Sequence, residues 1–222
     1  MSQPGPGRRA GADEGPRPAE RAERAERRSR WDARHAAAAP IESDAPNPVL
    51  VEEAERLAPG RALDLGTGDG RNAVWLARRG WQVTAVDFSP VALARARELA
   101  EAAGANVDWR LADLVEFEPP PGAFDLVTLF FVHLPPDERR AVHAAAAAAV
   151  APGGVLLVVG HDRSNLGQGV GGPQDPAVLF TPAEIAAEFP GLIIERAEVI
   201  RRPGRGESGP IDAVVRAVRP GR

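Results

Sequence analysis

The chain has 222 residues, of which 44% are hydrophobic, with a formal net charge of −4 and no cysteine. This length and apolar content suffice for one domain with a substantial core. The lack of cysteine excludes disulfides, thiolate metal sites and a cysteine nucleophile. The acidic balance disfavours nucleic acid as a partner. No apolar stretch approaches the roughly 20 residues of a membrane span, so we expect a cytoplasmic protein without membrane partners.

Residues 1–30 are predicted to be a disordered or charged helical tail. The first part is rich in Gly, Pro and Arg, which is typical of disorder. Residues 18–30 repeat Ala, Glu and Arg, and pairs such as Glu20 with Arg24 have the i,i+4 spacing that supports a solvated helix. We therefore expect the folded domain to comprise residues 31–222.

The segment 31–45 has two interpretations. Trp31 stands among alternating charges, which is unusual for a tail. In the first interpretation, the segment forms a lid over a ligand, with Trp31 and Arg34 facing a substrate. Alternatively, Trp31 only anchors the N-terminal segment to the core.

Cap and turn residues divide the remaining chain into alternating strands and helices. The predicted strands are about 61–65, 81–88, 106–111, 124–132, 155–160, 192–201 and 211–218. The predicted helices are about 48–58, 72–79, 90–103, 135–150 and 182–189, and a long glycine-rich loop covers 162–178. The alternation predicts an α/β fold. It is a doubly wound, mostly parallel seven-stranded sheet that ends in an antiparallel hairpin.

Glycines at 66, 68 and 70 separate the first strand from the helix that follows it. They permit unusual backbone dihedrals and close approach of a ligand. The next helix then offers unpaired N–H groups at its N-terminus. The arrangement predicts a nucleotide-type pocket at the carboxyl end of the first strand. The alternative is that the glycines only form a tight turn.

Charge favours one kind of nucleotide. The dinucleotide pattern would require a third glycine at the position of Arg71. Asp64 and Asp69 would repel a pyrophosphate, whereas they suit a cofactor with an amino group and a sulfonium, such as S-adenosylmethionine.

The ends of the later strands supply further candidates. Asp87 lies where a carboxylate accepts hydrogen bonds from ribose hydroxyls, and Phe88 can stack on adenine. Asp113 can accept a hydrogen bond from the adenine amino group. The end of strand four should face the sulfonium and methyl group of the cofactor. The candidate cofactor-binding residues are therefore Asp64, Gly66, Thr67, Gly68, Asn72, Asp87, Phe88, Ala112, Asp113, Leu114 and Phe130.

The chain resembles the class I S-adenosylmethionine-dependent methyltransferases over about residues 40–160. The resemblance rests on Leu63-Asp-Leu-Gly-Thr-Gly-Asp-Gly70, Val86-Asp87, Ala112-Asp113, the Phe124-Asp-Leu-Val run and Ala151-Pro-Gly-Gly154. It implies that the glycine loop holds the methionine portion, Asp87 the ribose and Asp113 the adenine amine. Trp31 with Arg34, Pro46-Asn-Pro48 and Gly70-Arg-Asn-Ala73 are similar to small-molecule members of the tellurite-resistance and thiopurine methyltransferase kind.

The resemblance implies in-line transfer of a methyl group from S-adenosylmethionine to a small molecule. A general base is needed only if the acceptor carries a proton, and His133 and His161 are the candidates. Either could instead be structural. The candidate substrate contacts are Trp31, Arg34, His133 and Arg163. No third ligand completes a metal site with His161-Asp162, so we expect no metal.

Two other functions remain open at this stage. The first is a non-catalytic module that binds S-adenosylmethionine as a sensor or scaffold. The second, a nicotinamide oxidoreductase, is disfavoured by Asp69 and the missing glycine. The turn Leu134-Pro-Pro-Asp137 lacks the amide and the aromatic residue used for nucleic-acid amines. The sequence identifies neither the accepting atom (O, N, S or metalloid) nor the oligomeric state.

Overall fold

A seven-stranded sheet forms the centre of the computed structural model, which describes residues 18–38, 45–203 and 209–221. The strands are β1 (Arg61–Leu65), β2 (Gln82–Asp87), β3 (Val107–Leu111), β4 (Phe124–Phe130), β5 (Val150–His161), β6 (Ile193–Arg201) and β7 (Ile211–Val218). The helices are α1 (Pro18–Ala37), α2 (Pro48–Ala54), α3 (Arg71–Arg78), α4 (Pro90–Ala102), α5 (Pro136–Ala149), α6 (Asn165–Gln168) and α7 (Pro182–Ala187), with a 3₁₀ turn at Pro176–Val178.

The strand order is β3-β2-β1-β4-β5-β7-β6. The first five strands are parallel, whereas β7 is antiparallel to both β5 and β6. The predicted fold class is confirmed. The chain winds outward from β1 in one direction and from β4 in the other, so the loops that follow these two strands diverge. A ligand crevice is expected at such a switch point.

Successive side chains of a strand point to opposite faces of the sheet, so the apolar residues of each central strand pack into two cores. Leu63 and Val127 belong to the core under α5 and α7. Ala62 and Leu126 belong to the core under α2 and α3. The central strands are thereby covered on both sides, which fixes the loops at their carboxyl ends.

Several boundaries differ from the predicted ones. α2 ends at Ala54 rather than near 58, and α6 and the 3₁₀ turn interrupt the predicted long loop. β5 begins earlier, at Val150, because a register shift opposite β4 accommodates the Pro-Gly-Gly segment.

α1 runs without a break through the predicted boundary at residue 30. Residues 18–30 of the predicted tail and 31–37 of the predicted lid therefore share one helix. The disorder predicted for residues 1–17 falls outside the described residues. Among the residues that are described, no helix has both the length and the apolar character needed to cross a membrane.

A buried ion cluster joins α5 to the end of α7. Glu188 accepts hydrogen bonds from Arg139 Nη2 at 2.7 Å and from His143 Nδ1 at 2.6 Å. Burial alone would raise the pKa of Glu188, but the hydrogen bonds from His143 and Arg139 outweigh it and lower the pKa. The charged form of Glu188 is therefore favoured in the folded state.

We expect Glu188→Gln to lower the free energy of unfolding by about 3 kcal/mol at pH 7, because it leaves a buried Arg139 without its counterion. A carboxyl with a lowered folded pKa contributes stability above its unfolded pKa of about 4.3, and this is lost as pH falls through the folded value. The difference from wild type should therefore shrink below about pH 4. Urea denaturation at several pH values measures it. Asp108→Asn, which removes only an exposed ion pair, is the control; an equal loss in both variants would contradict the prediction.

Candidate functional site

A cavity of about 550 Å³ lies beyond the carboxyl ends of β1 to β4. Thirteen of the residues selected from the sequence line it: Trp31, Arg34, Asp64, Gly66, Thr67, Gly68, Asn72, Asp87, Phe88, Asp113, Leu114, Phe130 and His133. Ala112, His161 and Arg163 do not line it. The fold therefore brings most of the candidate residues to one place.

The glycine loop forms one wall of the cavity. Gly66 has a φ of 75°, and a Cβ there would lie 2.6 Å from Val132 Cγ2. Glycine thus lets the segment after β4 approach the loop closely. Gly68 has a φ of 55°, and a Cβ there would meet nothing nearer than His35 Cε1 at 3.9 Å. The backbone at Gly68 consequently borders open space.

Asp87 is buried at the end of β2 and holds this loop. Its Oδ2 accepts a hydrogen bond from Gly68 N–H at 2.8 Å, and its Oδ1 accepts from Ser89 N–H at 2.9 Å. Burial raises the pKa of Asp87, and the backbone hydrogen bonds from Ser89 and Gly68 oppose that rise. Each carboxylate oxygen can accept a second hydrogen bond. The side chain therefore suits a ligand with two neighbouring hydroxyls.

Asp64 fastens the start of the loop to the end of β1. Its carboxylate accepts hydrogen bonds from the hydroxyls of Thr67 at 2.6 Å and of Thr128 at 2.7 Å. Burial raises the pKa of Asp64, the two hydroxyls lower it, and the nearby charge of Asp87 raises it further. Asp64 thus orients the loop.

Asp69 requires a correction to the charge argument made from the sequence. Its Oδ1 lies 2.8 Å from His35 Nδ1 and 3.2 Å from Arg95 Nε. The hydrogen bond from His35 lowers the pKa of Asp69. Burial opposes this change, and the positive charge of Arg95 assists it. Because Arg95 offsets its charge, Asp69 repels a phosphate less than the sequence suggested. Its position instead connects the loop with α1.

The end of β3 provides a third acid. Asp113 lines the cavity, and its Oδ1 accepts a hydrogen bond from Val115 N–H at 3.0 Å. Ala112 lies outside the cavity, because its side chain packs against the core while its N–H donates to the Asp87 carbonyl at 3.0 Å. Ala112 therefore links the ends of β2 and β3 through its backbone.

α1 lies over the cavity and contributes Arg27, Trp31, Arg34 and His35 to its lining. The guanidinium of Arg34 stacks on the Trp31 ring at 4.9 Å. This position corresponds to the lid interpretation of the N-terminal segment.

Charged and polar groups attach α1 to the domain. At one end, Arg24 and Arg27 pair with Glu138 at 3.0 and 2.7 Å. Farther along, Asp32 accepts a hydrogen bond from the Ser89 hydroxyl, and His35 reaches Asp69. Ion pairs of this partly exposed kind are individually weak and are screened by salt. The helix is therefore held by contacts that can open.

His133, at the end of β4, has both ring nitrogens engaged. Nδ1 donates to the Val178 carbonyl at 3.2 Å, and Nε2 accepts from the His161 N–H at 3.4 Å. Burial lowers the pKa of His133 to about 4, although the hydrogen bond to Val178 opposes the change. This geometry favours a neutral wall residue over a general base.

His161 and Arg163 have other partners. The His161 ring stacks on that of His133 with centroids 5.4 Å apart, and a bulkier residue at Gly172 would collide with it. Arg163 pairs with Glu184 at 2.9 Å on the surface. Neither side chain reaches the cavity.

Arg202 lines the cavity although the sequence did not single it out, and Phe131 lines it within the strand-four end that was predicted to face the sulfonium. The hairpin explains Arg202. β6 is antiparallel to β7, which is antiparallel to β5, so β6 runs parallel to the central strands. Its carboxyl end consequently lies at the same edge as theirs. Inspecting the end of this strand, as was done for the others, would have found Arg202.

Comparisons with known proteins agree with this geometry. Residues 62–154 match a model of the methyltransferase domain. The demethylmenaquinone methyltransferase of Thermus thermophilus is 40% identical over 111 residues, which cover 49% of this chain and 50% of the relative. The ubiquinone biosynthesis O-methyltransferase of Xanthomonas euvesicatoria is 34% identical over 118 residues, which cover 50% of this chain and 48% of the relative. The chain thus spans about half the length of these curated relatives.

Solved structures show the same fold over more of the chain. The N-methyltransferase NodS of Bradyrhizobium japonicum, in complex with S-adenosyl-l-homocysteine, aligns with a TM-score of 0.68 at 17% identity, covering 87% of this chain and 98% of NodS. TehB of Haemophilus influenzae aligns with a TM-score of 0.64 at 20% identity, covering 78% and 62%. At this identity the likeness to TehB shows the shared fold alone, and the tellurite-resistance subgroup stays a prediction. Residues 62–154 of this chain thus match the methyltransferase domain family, and the solved structures show that the chain shares their fold.

Proposed function

We propose that this chain transfers the methyl group of S-adenosylmethionine to a small-molecule acceptor. The single observation that carries the proposal is the mixed lining of the cavity. The glycine loop and three strand-end acids come from β1 to β3, whereas the segment after β4 and Arg202 come from the other half of the sheet. Two relatives named for demethylmenaquinone and for ubiquinone biosynthesis support a small acceptor.

The lining residues that follow β1 to β3 fit the cofactor. Asp87 is buried and keeps acceptor capacity on both oxygens, which suits the ribose hydroxyls. Asp113 would accept from the adenine amino group, and Phe88 would stack on the ring. The open backbone at Gly68 would border the methionine portion. A cavity of about 550 Å³ is also within the range of small-ligand sites.

The protein would act mainly by alignment. When bound, S-adenosylmethionine supplies an electrophilic methyl group on its sulfonium. Phe130 and the residues after it would set the direction of approach, and Trp31 on α1 would exclude water. His133 is poorly suited to remove a proton, because both its nitrogens are engaged. The site therefore favours an acceptor that is already nucleophilic at neutral pH.

Calorimetry followed by a turnover assay tests the proposal. S-adenosylmethionine should bind, and S-adenosylhomocysteine should form with at least one member of a panel of hydroxylated quinones, phenols and thiols. Binding with no turnover on any acceptor would instead support the non-catalytic module. Absence of binding would contradict both.

We expect Asp87→Ala to weaken the binding of S-adenosylhomocysteine by about 1–3 kcal/mol, because hydrogen bonds to a charged group are lost. Titration calorimetry measures the change, and Asp108→Ala on the exposed edge of β3 is the matched control. Thermal unfolding of each variant establishes that it is folded. Wild-type affinity in a folded Asp87→Ala protein would contradict the ribose assignment.

We expect α1 to control how fast S-adenosylhomocysteine leaves. Glu138→Gln removes the carboxylate shared by Arg24 and Arg27, although Arg24 keeps its ion pair with Glu116. The loss of two weak ion pairs should speed dissociation by about 5-fold. Raising sodium chloride from about 0.05 to 0.5 M should have a similar effect on wild type. Stopped-flow fluorescence of the tryptophans measures the rate.

The matched control for this experiment is Asp137→Asn, one residue away. Its carboxylate is 95% exposed and pairs with Arg140 on the same helix. This variant should dissociate at the wild-type rate. If Glu138→Gln did so as well, α1 would not limit release.

A further inference from the structure

Arg202 is a cation that the β6–β7 hairpin brings to the cavity, from the opposite half of the sheet to the strand-end acids. It follows β6 directly, and its backbone N–H donates to the Pro210 carbonyl at 2.9 Å. Its side chain is 30% exposed and lines the cavity. The guanidinium therefore has both a fixed base and an open side.

Asp212 holds the closed side of this guanidinium. Asp212 is fully buried and accepts hydrogen bonds from Arg202 Nε and, at 3.5 Å, from Nη2. In the part of the chain that the structure describes, no acceptor is recorded for Nη1 of Arg202. Since Asp212 occupies only one edge of the planar fork, N–H groups remain for a second acceptor.

Phe131 supports the guanidinium from another direction. The guanidinium carbon of Arg202 lies 5.0 Å from the centre of the Phe131 ring. Phe131 has a φ of 58°, which makes it the non-glycine residue with positive φ among those described. A bulky residue adopts this conformation only where its surroundings impose it, and such residues cluster at ligand sites. Phe131 in this conformation both contacts Arg202 and lines the cavity.

Two histidines, His133 and His161, lie on the same side of the cavity as Arg202. His133 is neutral near pH 7 because burial lowers its pKa to about 4. His161 lies behind it, with Nδ1 3.1 Å from Asp212 Oδ1. Arg202 is thus the arginine that the hairpin brings to the cavity, whereas the other arginines of the lining, Arg27, Arg34 and Arg71, belong to α1 and α3.

We propose that Arg202 binds a carboxylate of the methyl acceptor, so that the acceptor is a small aromatic acid. The inference rests on the proposed function. The planar fork of arginine matches a carboxylate, and the aromatic side chains of Trp31 and Phe131 line the cavity that would hold an aromatic ring. A phosphate dianion fits less well, because Asp212 already offsets part of the single positive charge and the strand-end acids also line the cavity.

The test compares acids with their amides. Probes are 4-hydroxybenzoate, 3,4-dihydroxybenzoate and 2-mercaptobenzoate, each beside its carboxamide and the phenyl phosphate analogue. Binding is measured by calorimetry on the full chain saturated with S-adenosylhomocysteine. We expect at least one acid to bind wild type about 10- to 100-fold tighter than its amide, as a charge-assisted hydrogen-bonded pair provides.

Two variants locate the effect. Arg202→Gln combined with Asp212→Asn removes the cation without leaving a buried carboxylate uncompensated, and it should abolish the preference for the acid. Arg110→Gln, which removes an exposed arginine paired with Asp108, should keep it. Affinity for S-adenosylhomocysteine reports whether the double variant remains folded.

The outcomes separate this inference from the function on which it rests. Equal binding of acid and amide, tighter binding of the phosphate, or an unchanged preference in the double variant would overturn the role of Arg202. So would failure of every probe to bind a protein that binds S-adenosylhomocysteine. Failure to bind S-adenosylhomocysteine itself would overturn the proposed function.

Discussion

The hydrogen bond from Gly68 N–H to the buried Asp87 carboxylate is the contact on which the site depends. It ties the loop after β1 to the end of β2, and the hydroxyl bonds to Asp64 tie the same loop to β1 and β4. Desolvation makes both carboxylates costly unless they are hydrogen-bonded. These hydrogen bonds offset the desolvation cost of the two carboxylates. They also hold the loop in one conformation without a ligand, so the cavity wall is preorganised.

Charge is divided along the cavity in a way that follows from the sheet topology. Acids occupy the ends of β1 to β3, on one side of the switch point, whereas Arg202 lies at the end of β6 on the other. α1 spans the opening and connects to both sides, through Asp69 and through Glu138. The arrangement gives an electrically polar cavity under a helix held by electrostatic contacts. On the proposed function, the acidic side takes the cationic cofactor.

Much of this could be predicted from the sequence, because the signals are local. Strand and helix periodicity, the glycines of the loop and the acids after buried strands determine the sheet and most of the cavity wall. Arg163 and Asp69 show where local reasoning fails. Arg163 follows a strand end, yet Glu184 on α7 holds it on the surface, and the charge of Asp69 is offset by Arg95 on α4. Pairings between distant segments leave no periodic trace in the sequence.

The hairpin of β6 and β7 has a consequence for how such a protein can diverge. It lies at the edge of the sheet, and the groups it brings to the cavity come from outside the segment that matches the methyltransferase domain. Substitutions there leave the loop after β1 and its acids untouched. On the roles proposed above, the carboxylate contact of Arg202 thus comes from a part of the chain separate from the residues that hold S-adenosylmethionine. The acceptor contact on the hairpin can therefore change while the cofactor site is retained.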